Sequence, residues 1–210
     1  MLIHLSAQSH MVLRRLLPVA PMAITCLEGG LLVTYRGFER RLHAGAGFIV
    51  PAFQSVDLHL EGRACRAAQS TLDMSTPVHL VERGPLGERL ARHVFFEPAK
   101  TWSAATFSAL TGLPELRIRR TLFSEGAALT EICRNQRLMC LLFGLLQGGE
   151  PLWKLLRRVG WPPASDVEAV FYDRFGVTID AARSLAAVPS GRLRRRQEGL
   201  AYPSMHVVHI

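Results

Sequence analysis

The sequence predicts an α+β fold, with a β-rich N-terminal region followed by an all-α C-terminal region carrying two helix-turn-helix motifs joined by a linker helix. Three observations predict it. Before about residue 95, short apolar stretches alternate with a period near two and are punctuated by Gly and Pro. From Trp102 onward the apolar period becomes helical, with Gly and Pro falling at helix ends rather than inside. In that second region the order helix, turn of about four residues, helix occurs twice.

The elements follow in order. AITCL, LLVTYRG, GAGFIVPAFQS and VDLHLEG read as strands, with Leu32, Val33 and Tyr35 and then Val56, Leu58 and Leu60 carrying the alternation and Gly29-Gly30, Gly37 and Gly62 at turns. VERGPLGERLARHVFF, residues 81–96, reads as a helix or linker leaving the sheet. Ser103 can cap the helix AATFSALTG, which Gly112 ends. ELRIRRTLFSEG then places Ile118 and Leu122 on one inward face at i, i+4 spacing. LTEICRNQRLMCLLFGLLQ is a longer apolar helix closed by Gly148-Gly149. Pro151 suits the first position of the helix PLWKLLRRVG, which Gly160 terminates. Past that turn Trp161 drops between two helices, and Pro162-Pro163 introduce a helix over about 164–174 whose inward residues are Val167, Val170 and Phe171. Phe175-Gly176 ends it, and Arg183 lies on the following segment.

Composition narrows the function classes. With 210 residues and 49% apolar content the chain can build real cores. Its net charge of +8 favours an anionic partner, and of its 25 basic residues only Lys100 and Lys154 are Lys. Guanidinium forks suit phosphate and guanine, although Arg over Lys also follows from GC-rich coding. The four cysteines, Cys26, Cys65, Cys133 and Cys140, form no CxxC pair and argue against a disulfide scaffold or a zinc site. The first 26 residues hold an Arg pair and an apolar run interrupted by Pro18 and Pro21, and no segment approaches a membrane-spanning length. A cytoplasmic protein with no membrane partner is expected.

Catalysis is not expected, and neither is a metal or cofactor. Metal-dependent enzymes built on small β-barrels present two His one residue apart with a Glu and a later His, because imidazoles so spaced share one strand face. Here His43 and His59 are isolated, and the HVVH at 206–209 has no acidic neighbour. Ser-His-Asp, P-loop and GxGxxG patterns are absent.

Val159, Gly160, Trp161, Ser165, Val167, Phe171, Phe175, Gly176, Val177, Thr178 and Arg183 stand in the register of a known motif. In this the chain resembles the AraC/XylS transcriptional regulators, whose second helix-turn-helix runs through Val-Gly-Phe, a polar spacer, a helix with two Phe and then Phe-Gly-Val. Gly126, followed eleven residues later by Arg137-Leu138, is similar to that family's step into the linker helix. The resemblance covers roughly residues 100–185. Ile179 stands where the family usually has Pro, Leu156 where Ala is common, Pro114 where Ser caps, and Ala169 where an Arg points into the groove. More weakly, GAGFIVPAFQSVDLHLEG resembles the family's cupin-like N-terminal strand pair, and about 90 residues is short for a complete double-stranded barrel with a ligand cavity. That brevity is similar to virulence and secretion-system members. The resemblance divides the chain into 1–95, a β-rich regulatory or dimerisation domain; 96–186, a double helix-turn-helix DNA-binding domain; and 187–210, a basic tail.

It also implies a site. The second helix of each unit would enter the major groove of double-stranded DNA, where base edges present a distinguishable code. Leu116, Arg117, Arg119 and Arg120 would face or flank the groove in the first unit, and Ala164, Ser165, Asp166, Glu168 and Ala169 in the second, with Arg174 gripping the backbone. Since the second set is short and partly acidic, an asymmetric reader is expected, its two helices about one turn, roughly 34 Å, apart. Arg134, Arg137, Arg157 and Arg158 are candidate phosphate contacts; for Arg137 the other option is an ion pair with Glu131 or Glu168. The tail cluster GRLRRRQEG, residues 191–199, is either a solvated end or a non-specific grip.

Three functions compete on this reading. The first is a sequence-specific transcription activator, working with RNA polymerase, whose N-terminal domain gives homodimerisation or co-activator control. The second is a partner-dependent regulator with weak autonomous DNA binding. The third is a ligand-sensing β domain with a vestigial helical tail.

Overall fold

The computed structural model describes residues 1–63, 66–74, 84–163 and 165–186. Ala164, Cys65, residues 81–83, the basic tail and the terminal HVVH, all invoked above, lie outside them. Eight strands come first: β1 (Leu2–Ala7), β2 (His10–Leu16), β3 (Met22–Glu28), β4 (Leu31–Tyr35), β5 (Phe38–Leu42), β6 (Gly47–Val50), β7 (Val56–Glu61) and β8 (Ala68–Asp73). They form two four-stranded antiparallel sheets, ordered β1-β8-β3-β6 and β2-β7-β4-β5. Each strand turns one face inward. Ile3, Leu5, Leu13, Ile24, Leu31, Val33, Leu58, Leu60 and Leu72 are buried between the sheets.

Two sequence readings are refined here. Beyond the four segments read as strands, β1, β2, β5 and β8 also form, so eight strands fit within residues 2–73. In β4 the inward phase falls on Leu31, Val33 and Tyr35, opposite the buried Leu60, Leu58 and Val56, so Leu32 lies on the other face and Tyr35, at the strand end, is half-buried. The Arg pair at 14–15, read above only as a flank to an apolar run, lies in β2. There the ladder to β7 bulges between Leu13 and Leu16, Arg15 takes φ +52°, and its amide donates to Asp57 at 2.7 Å.

Seven helices follow: α1 (Leu86–Phe96), α2 (Ala104–Thr111), α3 (Glu115–Ser124), α4 (Leu129–Gln147), α5 (Leu152–Arg158), α6 (Val167–Phe175) and α7 (Ile179–Ser184). Two apolar clusters organise them. The first helical unit has its own core of Leu86, Leu90 and Val94 from α1, Phe107 from α2, Ile118 and Leu122 from α3 and Cys133 from α4. The second unit does not: Leu138, Met139, Leu141 and Leu142 of α4 join Leu155, Phe171, Phe175 and Ile179 and the sandwich residues in one continuous cluster. Backbone bonds cross the same junction, Ser6 N–H donating to Leu185 O at 2.9 Å, and Leu5 pairing with Ala186. α1 belongs to the first helical unit, and the second unit is fused to the sandwich.

Gly160 is the tightest turn between helices. Its φ is +64°, and a β-carbon there would come within 2.7 Å of Ala99 Cα and 3.0 Å of Pro98 O, both backbone atoms that cannot step aside. Gly112, at φ +68°, has open space around the same position. Gly160→Ala is therefore expected to lower stability by well over the ~1 kcal/mol that a strained backbone position alone costs. Gly112→Ala should lose no more than that backbone term; urea midpoints of the two variants make the comparison.

Candidate nucleic-acid interface

The helix pair α2 and α3 is opened and closed at α2 by caps that the sequence names. Ser103 Oγ accepts the Thr106 amide at 3.1 Å, opening α2, and Gly112 closes it in the left-handed conformation. Trp102 stacks on Phe107 with ring centroids 4.6 Å apart, fixing the entry to α2. Pro114 then starts α3 without a side-chain cap. At the far end of α3 the carboxylate of Glu125 takes the Leu86 and Gly87 amides, each at 2.8 Å. Those two bonds place an anion on the first amides of α1 and fasten the two helices together.

On α3, Ile118 and Leu122 are buried, as their spacing predicts. That commits the opposite face to solvent. Leu116, Arg117, Arg119 and Arg120 are all exposed on it. Arg119 reaches back to Glu115 at 3.8 Å, an exposed i, i+4 pair of little weight, while Arg117 and Arg120 make no ion pair among the described residues. Phe123, seven positions after Leu116, shares their face and is 86% exposed. The sequence reading missed it, although the same helical period that placed Leu116 outward places Phe123 there.

The second unit has a different character. α6 begins at Val167, three residues later than predicted, because Asp166 rather than the prolines supplies the cap: its Oδ1 accepts the Ala169 amide at 3.1 Å. Ser165 lies outside the helix, its hydroxyl donating to Pro162 O at 3.2 Å. Phe171 and Phe175 are fully buried, ring centroids 4.9 Å apart. The outward positions are Asp166, Glu168, Ala169, Tyr172 and Asp173. Tyr172, exposed and four residues past Glu168, is a second member the sequence reading missed. This face bears three carboxylates and no cation.

Arg174 does not belong to that face. It stands between the buried Phe171 and Phe175 positions, turned toward β2, where its carbonyl accepts Arg15 Nε at 3.0 Å. Burial, with the nearby Arg15 and Arg134 charges, pushes its guanidinium below the usual arginine value. Through that backbone carbonyl the residue links α6 to β2.

The remaining arginines divide. Arg137 bonds neither Glu131 nor Glu168; it donates to Pro98 O at 2.9 Å and Lys100 O at 3.1 Å and so ties α4 to the connector between α1 and α2. Glu131 is taken instead by Arg134 at 2.8 Å, and Glu168 accepts the Ile179 amide at 3.5 Å. Arg158 pairs with Glu150 at 2.6 Å, and Arg157 is exposed with no ion pair among the described residues. No group of three or more His, Cys, Asp or Glu able to hold a metal occurs among the described residues, and none of their helices is long and apolar enough to cross a membrane.

Antiparallel sheets followed by linked helices define the architectural class, a β-rich N-terminal region joined to a helical region with seven helices among the described residues. No protein-family model matches the sequence, and no curated protein sequence matches it. The fold is similar to that of ToxT from Vibrio cholerae. Its unsaturated fatty acid-bound wild-type structure gives a TM-score of 0.63 at 9% identity over 90% of this chain and 97% of that one. A second ToxT structure gives 0.64 at 9% identity over 90% and 98%, and a P21 crystal form 0.63 at 9% over 89% and 98%. At such identity the likeness shows a shared fold.

Because Asp166 alone opens α6, Asp166→Ala is expected to cost ~0.5–2 kcal/mol, whereas Asp166→Ser should retain most of the stability. Urea unfolding of the two variants measures the difference.

Proposed function

We propose that the chain is a sequence-specific DNA-binding transcription regulator, an activator, in which α3 carries most of the sequence choice. One observation supports this reading: α3 buries Ile118 and Leu122 and leaves Leu116, Arg117, Arg119 and Arg120 exposed. Arginine takes guanine O6 and N7 in a bidentate fork, and a leucine side chain suits the thymine methyl beside it. Arg157 of the second unit is free to take a phosphate oxygen. The likeness to ToxT, an AraC/XylS-family regulator, supports the same reading through the fold. RNA polymerase is the expected protein partner at a promoter.

A second reading is favoured by α6. Its outward face, with Asp166, Glu168 and Asp173, repels phosphate, and its helix begins late. On that reading the second unit adds little to DNA affinity, and the chain depends on a co-activator, or on a second copy through its N-terminal region, for full occupancy.

Duplexes selected from a random pool, followed by anisotropy titration at two salt concentrations, test the proposal. Arg120→Ala and Arg119→Ala are expected to weaken the selected site by roughly five- to hundred-fold, about 1–3 kcal/mol each, and to relax choice at one base pair. Arg157→Ala should weaken all duplexes alike and flatten the salt dependence by about one phosphate contact. Equal, weak, sequence-blind binding by wild type and all three variants would reject the proposal.

A further inference from the structure

A cavity of ≈ 480 Å³ opens where the C-terminal end of α1 meets the middle of α4 and the end of α5. Aromatic rings dominate its wall. Phe95 stands edge-on to Phe96 and to Phe143, with centroids 5.7 and 6.2 Å away, and Val159 closes the side toward α5. Two cations border it. Lys100 lies 3.0 Å from Glu97, which is itself on the lining, and 4.7 Å from the centre of the Trp102 ring.

Arg158 is different. Its Nη1 is tied to Glu150, while Nη2 lies over Gly144 on the cavity wall. A β-carbon at Gly144 would come within 2.7 Å of that nitrogen, so the bare backbone of α4 is what admits the guanidinium. Cys140 lines the same wall and donates to Phe95 O at 3.3 Å; burial pushes its thiol up to about 12, and the Arg158 charge is the influence that pulls it back down. A guanidinium with one end paired and the other over an apolar wall invites an anion. Three phenyl rings invite a ring of the same kind, edge to face.

We propose that this cavity binds an aromatic organic anion, its ring among Phe95, Phe96 and Phe143 and its acidic group on Arg158 Nη2. The size suits one or two rings, since ligand sites of ~300–1,000 Å³ commonly enclose small molecules. The site adjoins the 98–100 connector, which Arg137 ties to α4 and against which Gly160 packs. An occupant would therefore touch both helical units at once. The claim rests on the cavity alone and is independent of DNA binding.

Titration of the full chain with 8-anilinonaphthalene-1-sulfonate, followed by fluorescence, tests it. The wild type should show one saturable site. Arg158→Gln should weaken binding about tenfold, the size expected for one hydrogen bond to a charged group, whereas Arg157→Gln, which removes an exposed neighbouring charge, should leave it unchanged. Ala99→Trp, filling the cavity from its exposed rim, should abolish saturable binding, with circular dichroism checking the fold; should that variant not fold, the two arginine variants decide. Wild type without a saturable site, Arg158→Gln binding like wild type, or Arg157→Gln weakening as much as Arg158→Gln would each overturn the proposal.

Discussion

Helix α4 is buried at ten of its nineteen residues, and that burial is divided between two neighbours. Cys133, near its start, belongs to the core of the first helical unit; Leu138 onward belongs to the cluster that also fills the sandwich. Because an apolar side chain taken fully out of water is worth ~1.5–3 kcal/mol, each end of this helix is fixed by several times the energy of thermal motion. The relative placement of α3 and α6 follows from that single rod. Polar contacts refine it: Arg137 ties α4 to the α1–α2 connector, and Glu125 ties the end of α3 to the start of α1.

Within this frame the two units diverge in chemistry while keeping one geometry. Both bury two apolar residues of their second helix at i, i+4, Ile118 and Leu122 in one and Phe171 and Phe175 in the other. What they turn to solvent is opposite in sign. α3 exposes three arginines, and α6 exposes Asp166, Glu168 and Asp173. Duplicated helices need only their inward residues to fold, so their outward residues are free to separate in function. α3 carries cationic donors on its outward face, and the outward face of α6 carries no cation.

Local signals were legible in the sequence. Ser103, Gly112 and the boundaries of α4 are readable because caps and helical periodicity act within a few residues. The inward Ile118 and Leu122, and with them the outward Leu116, Arg117, Arg119 and Arg120, follow from the same period. Where two local signals competed, the reading slipped. Pro162-Pro163 resemble a helix start, yet Asp166 holds the cap. Strands β1 and β2 were obscured by an Arg pair whose tolerance in a strand depends on a bulge and on Asp57, forty-two residues away from Arg15. The membership of α1, the fusion of α5 to α7 with the sheets, and the cavity beside Gly144 all arise from contacts between distant segments, which no short window contains.

The fusion of sandwich and second unit bears on how such a protein can diversify. A sensory half that meets its effector half across a thin polar seam can be exchanged between relatives with little penalty. Here Met139 accepts a hydrogen bond from the Leu17 amide, and Leu185 accepts one from Ser6. Any foreign N-terminal half would have to reproduce those two bonds and the apolar cluster that α4 shares with the sheets, so exchanging the halves of this chain carries a packing penalty as well as a polar one.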